Sequence, residues 1–221
     1  MLAAQLVRAD AALHVHVHVT VGVALEQQQI VLRLSDRPAL ARKVIRLLPA
    51  KLARDVTDDV LAHRELARLT PARPLSAFRV GPAAAAAKLR AYYAEAQHRS
   101  GIPWQVLAAV NYVESDFGRV RQSSTAGAQG PMQFMPSTWA TYGRGNVHDP
   151  HQAILGAARF LHAASGTVDE RAALHRYNPS WAYVDAIERY AGRIRRDSRA
   201  FLVFYARRLI VRTPEGYRRL T

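Results

Sequence analysis

The sequence predicts a mainly α protein, and three observations carry that prediction. From Pro38 onward, apolar residues recur three and four positions apart, the spacing of one helix face. Proline and glycine bracket these stretches at the places where helices start and stop. Strict alternation of period two is confined to one short stretch, "HVHVHVTV" from His14 to Val21.

The elements follow in order. Residues 1–35 read as a loosely defined N-terminal arm. In the alternating stretch Val faces one way and His14, His16 and His18 the other, as on an edge strand. Histidines spaced this way suit a metal, but no third ligand or acidic partner accompanies them, so no metal site is assigned. Residues 36–80 read as accessory helices followed by a linker. "ALARKVIRLL" and "VTDDVLAHRELARL" are two short amphipathic helices separated by Pro49, and "TPARPLSAFRVGPA" collects three prolines and a glycine. Residues 81–196 are densely helical. Pro82 opens an Ala-rich helix ending at Gly101. Val106, Val110 and Val113 mark the apolar face of the next, with Gly118 as its stop. Asp149 and Pro150 start a third, which ends at Gly166. Thr167 caps a fourth and Pro179 opens a fifth. Residues 197–221 form a C-terminal extension, either a strand pair or a covering segment.

Three stretches carry candidate chemistry. "VESDFG" places Glu114 at a helix end beside Val110 and Val113. The negative end of the helix dipole and partial burial both disfavour its charged form, which suits a general acid working near neutrality. Taken alone, the helix end fits a solvated glutamate better. Asp116 lies two residues on and does not share its face, so it reads as a loop residue paired with Arg119 or Arg121. "AGAQGPMQFMPSTWATYG" is a tightly turned loop presenting Gln129, Met132 and Gln133. Amides beside polarizable and aromatic groups suit a sugar, whereas Met135 and Trp139 read as core. "HRYNPSWAYVDA" sets Tyr177 and Asn178 at a helix end before Pro179, where they are either a helix stop and cap or groups facing a cleft.

In order and spacing, "AAVNYVESDFG", "GAQGPMQFMPSTW" and "HRYNPSWAYVDAI" resemble the lytic transglycosylases of the SLT type, with a goose-type lysozyme-like fold. The likeness runs from about Tyr92 to Ile194. It implies Glu114 as catalytic acid/base and Tyr177 as the residue that positions it or stabilises the reacting centre. It implies Ser115, Met132, Gln133, Gln129 and Asn178 as substrate contacts. Pro131 departs from the Leu frequent there, and Arg176 from the frequent Ala. The expected reaction cleaves the bond between N-acetylmuramic acid and N-acetylglucosamine and closes a 1,6-anhydro ring. The substrate's own acetamido group replaces a second carboxylate, and no cofactor is required. Two alternatives stand beside it. A hydrolytic muramidase would need Asp116 or Asp149 to activate water. A non-catalytic module would bind polyanions or cell wall.

Bulk properties bound the setting. The chain has 221 residues, no Cys and a formal charge of +14, so disulfides and thiolate metal sites are excluded and polyanions are attracted. The expected partners are peptidoglycan strands and anionic wall polymers rather than nucleic acid, with the protein acting as a monomer. No run of about 18 apolar residues suggests a membrane span. The apolar start carries Asp10 and three histidines and lacks the layout of a signal peptide, although the expected location is outside the cytoplasm.

Overall fold

The computed structural model describes residues 1–15 and 20–220, and it is mainly helical. Four helices come first: α1 (Leu2–Val15), α2 (Val21–Ser35), α3 (Pro38–Ile45) and α4 (Ala50–Leu69). Six more carry the central part: α5 (Ala86–Ser100), α6 (Trp104–Ser115), α7 (Pro136–Tyr142), α8 (Pro150–Ala163), α9 (Glu170–Tyr177) and α10 (Trp181–Arg196). The chain finishes with α11 (Arg199–Ala206) and an antiparallel hairpin, β1 (Ile210–Thr213) with β2 (Gly216–Arg219), in register Ile210 to Arg219 and Thr213 to Gly216. The C-terminal extension is therefore a helix followed by a strand pair.

The start of the chain corrects the expectation of an arm with an edge strand. Leu6, Ala9 and Leu13 are buried at helical spacing, and that periodicity carries α1 through His14 and Val15. Val21 already opens α2. His16 and His18 lie outside the described residues. A strand needs a partner ladder, whereas α1 and α2 satisfy their backbones internally and bury Leu6, Ile30, Val31 and Leu34 together with Val44, Leu52, Val56 and Val60.

A second, larger core surrounds α6, which is buried on nearly every side. α10 joins the two cores by packing along α4. The seam is ionic: Asp55 and Asp58 meet Arg196 at 3.0 and 2.6 Å, and Glu65 and Asp58 each meet Arg189 at 3.4 Å. At its centre buried Asp59 pairs with buried Arg193 and Arg207. Burial alone would raise the Asp59 pKa, but the two guanidiniums hold it below the usual value. The proline-rich stretch is also strapped down rather than loose. Gly81 N–H donates to Arg119 O (3.0 Å), Arg121 N–H to Arg79 O (2.9 Å) and Arg73 N–H to Arg212 O (3.1 Å).

Helix ends differ from expectation in a few places. Asp149 caps α8 as predicted, accepting from Gln152 N–H at 2.8 Å with Pro150 in the first turn. The cap of α9 is Asp169, not Thr167, because the turn after α8 continues through Ser165 and places Asp169 beside Ala172 N–H (2.9 Å). Ser180 caps α10, one residue beyond the expected Pro179. α6 stops at Ser115, three residues before Gly118.

Candidate active site

The early end of α6 is the first constraint on the site. Asp116 (φ 51°) and Phe117 (φ 60°) both adopt left-handed backbone, which is uncommon for residues with a Cβ. Phe117 is held there by its ring, which is buried against Tyr112 at 5.3 Å and Phe201 at 5.6 Å. The orphan carbonyls of the last turn find partners: Asp116 N–H donates to Tyr112 O (2.8 Å) and Phe117 N–H to Asn111 O (3.1 Å). Ser115 Oγ accepts from Gly118 N–H at 2.8 Å. The last helical turn, which carries Glu114, is thereby fixed.

Glu114 is half-buried. Its Oε1 accepts a hydrogen bond from the Tyr183 hydroxyl at 2.8 Å. Burial raises its pKa to about 7, and the Tyr183 hydrogen bond opposes that rise only in part. Tyr183 is itself buried, and burial together with the neighbouring Glu114 charge raises its pKa well above the usual value. It therefore remains a proton-bearing donor at any working pH. A carboxyl that takes up and releases its proton near pH 7 can act as acid and then as base.

The loop of residues 126–135 packs against this helix end. Gln129 and Phe134 exchange two backbone hydrogen bonds at 2.8 Å. Gly130 makes the turn with φ 74°, and a Cβ there would lie 2.1 Å from Val147 O. Gln133 takes φ 50°, with its side-chain amide donating to Gly130 O at 2.9 Å. One carbonyl, Pro131 O, binds the loop to the helix: it accepts from Ser115 Oγ at 2.6 Å and Asn111 Nδ2 at 2.8 Å. Asn111 Oδ1 in turn accepts from the Tyr93 hydroxyl at 2.6 Å. Pro131 leaves this carbonyl intact while removing only a donor.

The predicted site residues thus divide. Glu114, Gln129, Gln133, Tyr177 and Asn178 are each half-buried. Ser115 (1% exposed) and Met132 (0%) are enclosed, so their side chains support the site instead of meeting a substrate. Tyr177 does not hold Glu114. Its hydroxyl donates to Met132 O at 2.6 Å, and Tyr183 makes the contact expected of it. Tyr177 is still close enough for the Glu114 charge to help raise its pKa, after burial. Met135, read as core, is 41% exposed, whereas Trp139 packs on Phe134 (5.2 Å) as read. Asp116 pairs with Arg119 at 3.4 Å, and burial raises its pKa to about 6 against that pairing. Arg121 instead donates to Pro82 O at 2.5 Å. Asp149 is occupied as a helix cap.

Sequence reasoning missed Tyr183, Asn111 and His63. Tyr183, Ile187 and Tyr190 lie three and four apart on α10, a periodicity that marks their burial but not that Tyr183 reaches across to α6. His63 belongs to the accessory helix α4, yet it lines a cavity of about 220 Å³ together with Tyr112, Glu114, Asp116, Tyr190 and Arg208. Gln28 and Leu32 of α2 line it as well, so α2, α4 and the C-terminal segment border the candidate site.

Residues 91–197 match the Transglycosylase SLT domain family. A membrane-bound lytic murein transglycosylase F from Thiobacillus denitrificans is 40% identical over 73 residues, which is 33% of this chain and 15% of that protein. A membrane-bound lytic murein transglycosylase F 1 from Alkalilimnicola ehrlichii is 35% identical over 74 residues, 34% of this chain and 15% of that protein. The similarity thus spans only about 15% of the length of these curated relatives. No solved structure gives a significant match.

Proposed function

Since residues 91–197 form a transglycosylase SLT domain, we propose that the protein is a peptidoglycan lytic transglycosylase with Glu114 as its single acid/base. One observation carries the reading: Glu114 sits at a rigid helix end, half-buried, held by Tyr183, with a pKa of about 7.

The mechanism uses that proton twice. Protonated Glu114 gives its proton to the glycosidic oxygen between N-acetylmuramic acid and N-acetylglucosamine, and the C1–O bond breaks. The substrate's acetamido oxygen traps the anomeric carbon. Glu114, now a carboxylate, takes the proton of the muramyl C6 hydroxyl as that oxygen attacks C1 and releases the acetamide. The 1,6-anhydro ring closes and Glu114 is again protonated. Tyr183 keeps the carboxyl oriented through both steps, Tyr177 holds the loop through Met132 O, and Gln129, Gln133 and Asn178 line the substrate path.

The hydrolytic alternative needs a second carboxylate free to activate water. Asp149 caps α8, and Asp116 is buried, with Oδ1 on Arg119 and Oδ2 shut away from solvent, so neither is presented for that role. A purely polyanion-binding role leaves the neutral-range carboxyl unexplained. The charge of +14 is better used to hold the protein on anionic wall polymers in the cell envelope. Among the described residues no helix is long and apolar enough to cross a membrane.

Digestion of isolated sacculi, followed by mass spectrometry, tests the proposal. Anhydro-muropeptides, one water lighter than hydrolysed ones, are expected. Fully hydrated products would replace the reading with a hydrolase.

A further inference from the structure

The three tryptophans differ in their surroundings. Trp104 is buried and Trp139 is half-buried, but Trp181, the first residue of α10, is 55% exposed. An aromatic ring of that size is usually covered. Trp181 is nevertheless fixed in place. His175 stacks on it with ring centroids 4.2 Å apart and an interplanar angle of 26°, and the Arg171 guanidinium lies 5.5 Å from its centroid. Arg171 and His175 are four apart on α9 and so are neighbours on one helix face. The indole lies across both. α9 lies against the ring, and more than half of the residue's surface stays open to solvent. Arg171 is held in turn by Asp185 at 2.8 Å and by Glu188.

Trp181 and Tyr183 are two residues apart on α10 and so point to different faces: Tyr183 turns inward to hold Glu114, and Trp181 turns outward to solvent.

We propose that Trp181 is a saccharide-stacking residue whose exposed surface takes the apolar face of a pyranose ring of the glycan strand, at a surface subsite outside the cavity that Glu114 lines. The inference rests on the reading of glycan as substrate. A single flat ring rimmed by Arg171, Asp185 and Glu188 is too small and too polar an apolar surface for a protein partner. It matches a sugar, which offers one apolar face and a girdle of hydroxyls.

The test uses an N-acetylglucosamine tetramer and Glu114→Gln protein, so that the ligand is not cleaved. Binding is expected to shield Trp181 from acrylamide quenching. Calorimetry with Trp181→Ala is expected to show about three- to tenfold weaker binding, with Trp181→Phe recovering part of the loss. In the active protein, the Trp181→Ala loss is expected to fall on KM rather than kcat. Unshielded Trp181, or unchanged affinity in Trp181→Ala of unchanged thermal stability, would overturn the inference. Wild-type protein that shields Trp181 but leaves sacculi uncut would instead sink the catalytic reading while the saccharide site stands.

Discussion

Glu114 and Asp59 are both carboxylates taken largely out of water, and their environments push them in opposite directions. Asp59, between α4 and α10, has Arg193 and Arg207 on it and stays ionised below the usual range. Glu114, at the end of α6, has a neutral tyrosine hydroxyl and rises to about 7. Burial is common to both; the compensating cation is not. Two arginines make Asp59 a clamp that cannot change charge at working pH. Their absence leaves Glu114 with a proton that moves. The positive chain thus spends arginines on its seam and places a neutral donor on its candidate acid, as expected when a structural charge must be paired and a catalytic one must titrate.

The largest effect should come from removing the mobile proton. Glu114→Gln keeps the shape and the Tyr183 contact but is expected to reduce sacculus cleavage by about 10³-fold or more, read as released muropeptides. Wild-type activity in that variant would remove Glu114 from the mechanism. The same substitution should not cost stability. Because the folded pKa lies above the usual 4.5, folded protein holds more proton than unfolded protein between about pH 4.5 and 7. Glu114 therefore loses stability as pH rises through that window. At pH 8, Glu114→Gln should be more stable than wild type by roughly 1 kcal/mol in urea denaturation.

Asp59→Ala breaks the other member of the comparison. Leaving Arg193 and Arg207 buried and unpaired should cost about 3–5 kcal/mol. The pH signature is opposite to that of Glu114: the Asp59 contribution is present above the usual carboxylate value of 3.8 and is lost as pH falls through its lower folded pKa. Equal unfolding free energies for Asp59→Ala and wild type at pH 7 would mean that the seam is not a clamp.

Ser115→Ala should cost about 1–3 kcal/mol, because Pro131 O loses its shortest donor inside the protein and Gly118 N–H loses its acceptor. Activity should fall through a loosened loop while the pH profile keeps its position. Tyr183→Phe gives the smallest change in rate but the sharpest diagnosis. Without the hydroxyl that favours the carboxylate, the Glu114 pKa should rise further and the alkaline limb of the pH–rate profile should move up. A downward move would mean that Tyr183 raises the pKa instead.

Much of this arrangement was legible in the sequence because it follows periodicity and punctuation. The helical class, the place of Glu114 at a helix end and the Asp149 cap all follow from spacing and from Pro and Gly positions. The Asp116–Arg119 pair is likewise a local contact, three residues apart. What escaped depends on contacts distant in sequence. Tyr183 reaches Glu114 over 69 positions, and Arg193 reaches Asp59 over 134. The stop of α6 at Ser115 escaped because two non-glycine residues adopt left-handed backbone, a choice stabilised by Phe117 burial that no local pattern announces. Ser115 and Met132 sit in family-like motifs, but motif membership does not distinguish a group facing the sugar from one supporting the loop. The N-terminal alternation misled at its two ends, where His14 and Val15 continue the helical periodicity of α1 and Val21 already opens α2.

The central claim is that burial without a cation makes Glu114 an acid near neutrality. Carbon-13 NMR of glutamate carboxyls, with the Glu114 signal assigned by its absence in Glu114→Gln, measures this directly. The account predicts a midpoint of about 7. A midpoint at the usual 4.5 would contradict it, since the carboxyl would then be ionised when it met the sugar.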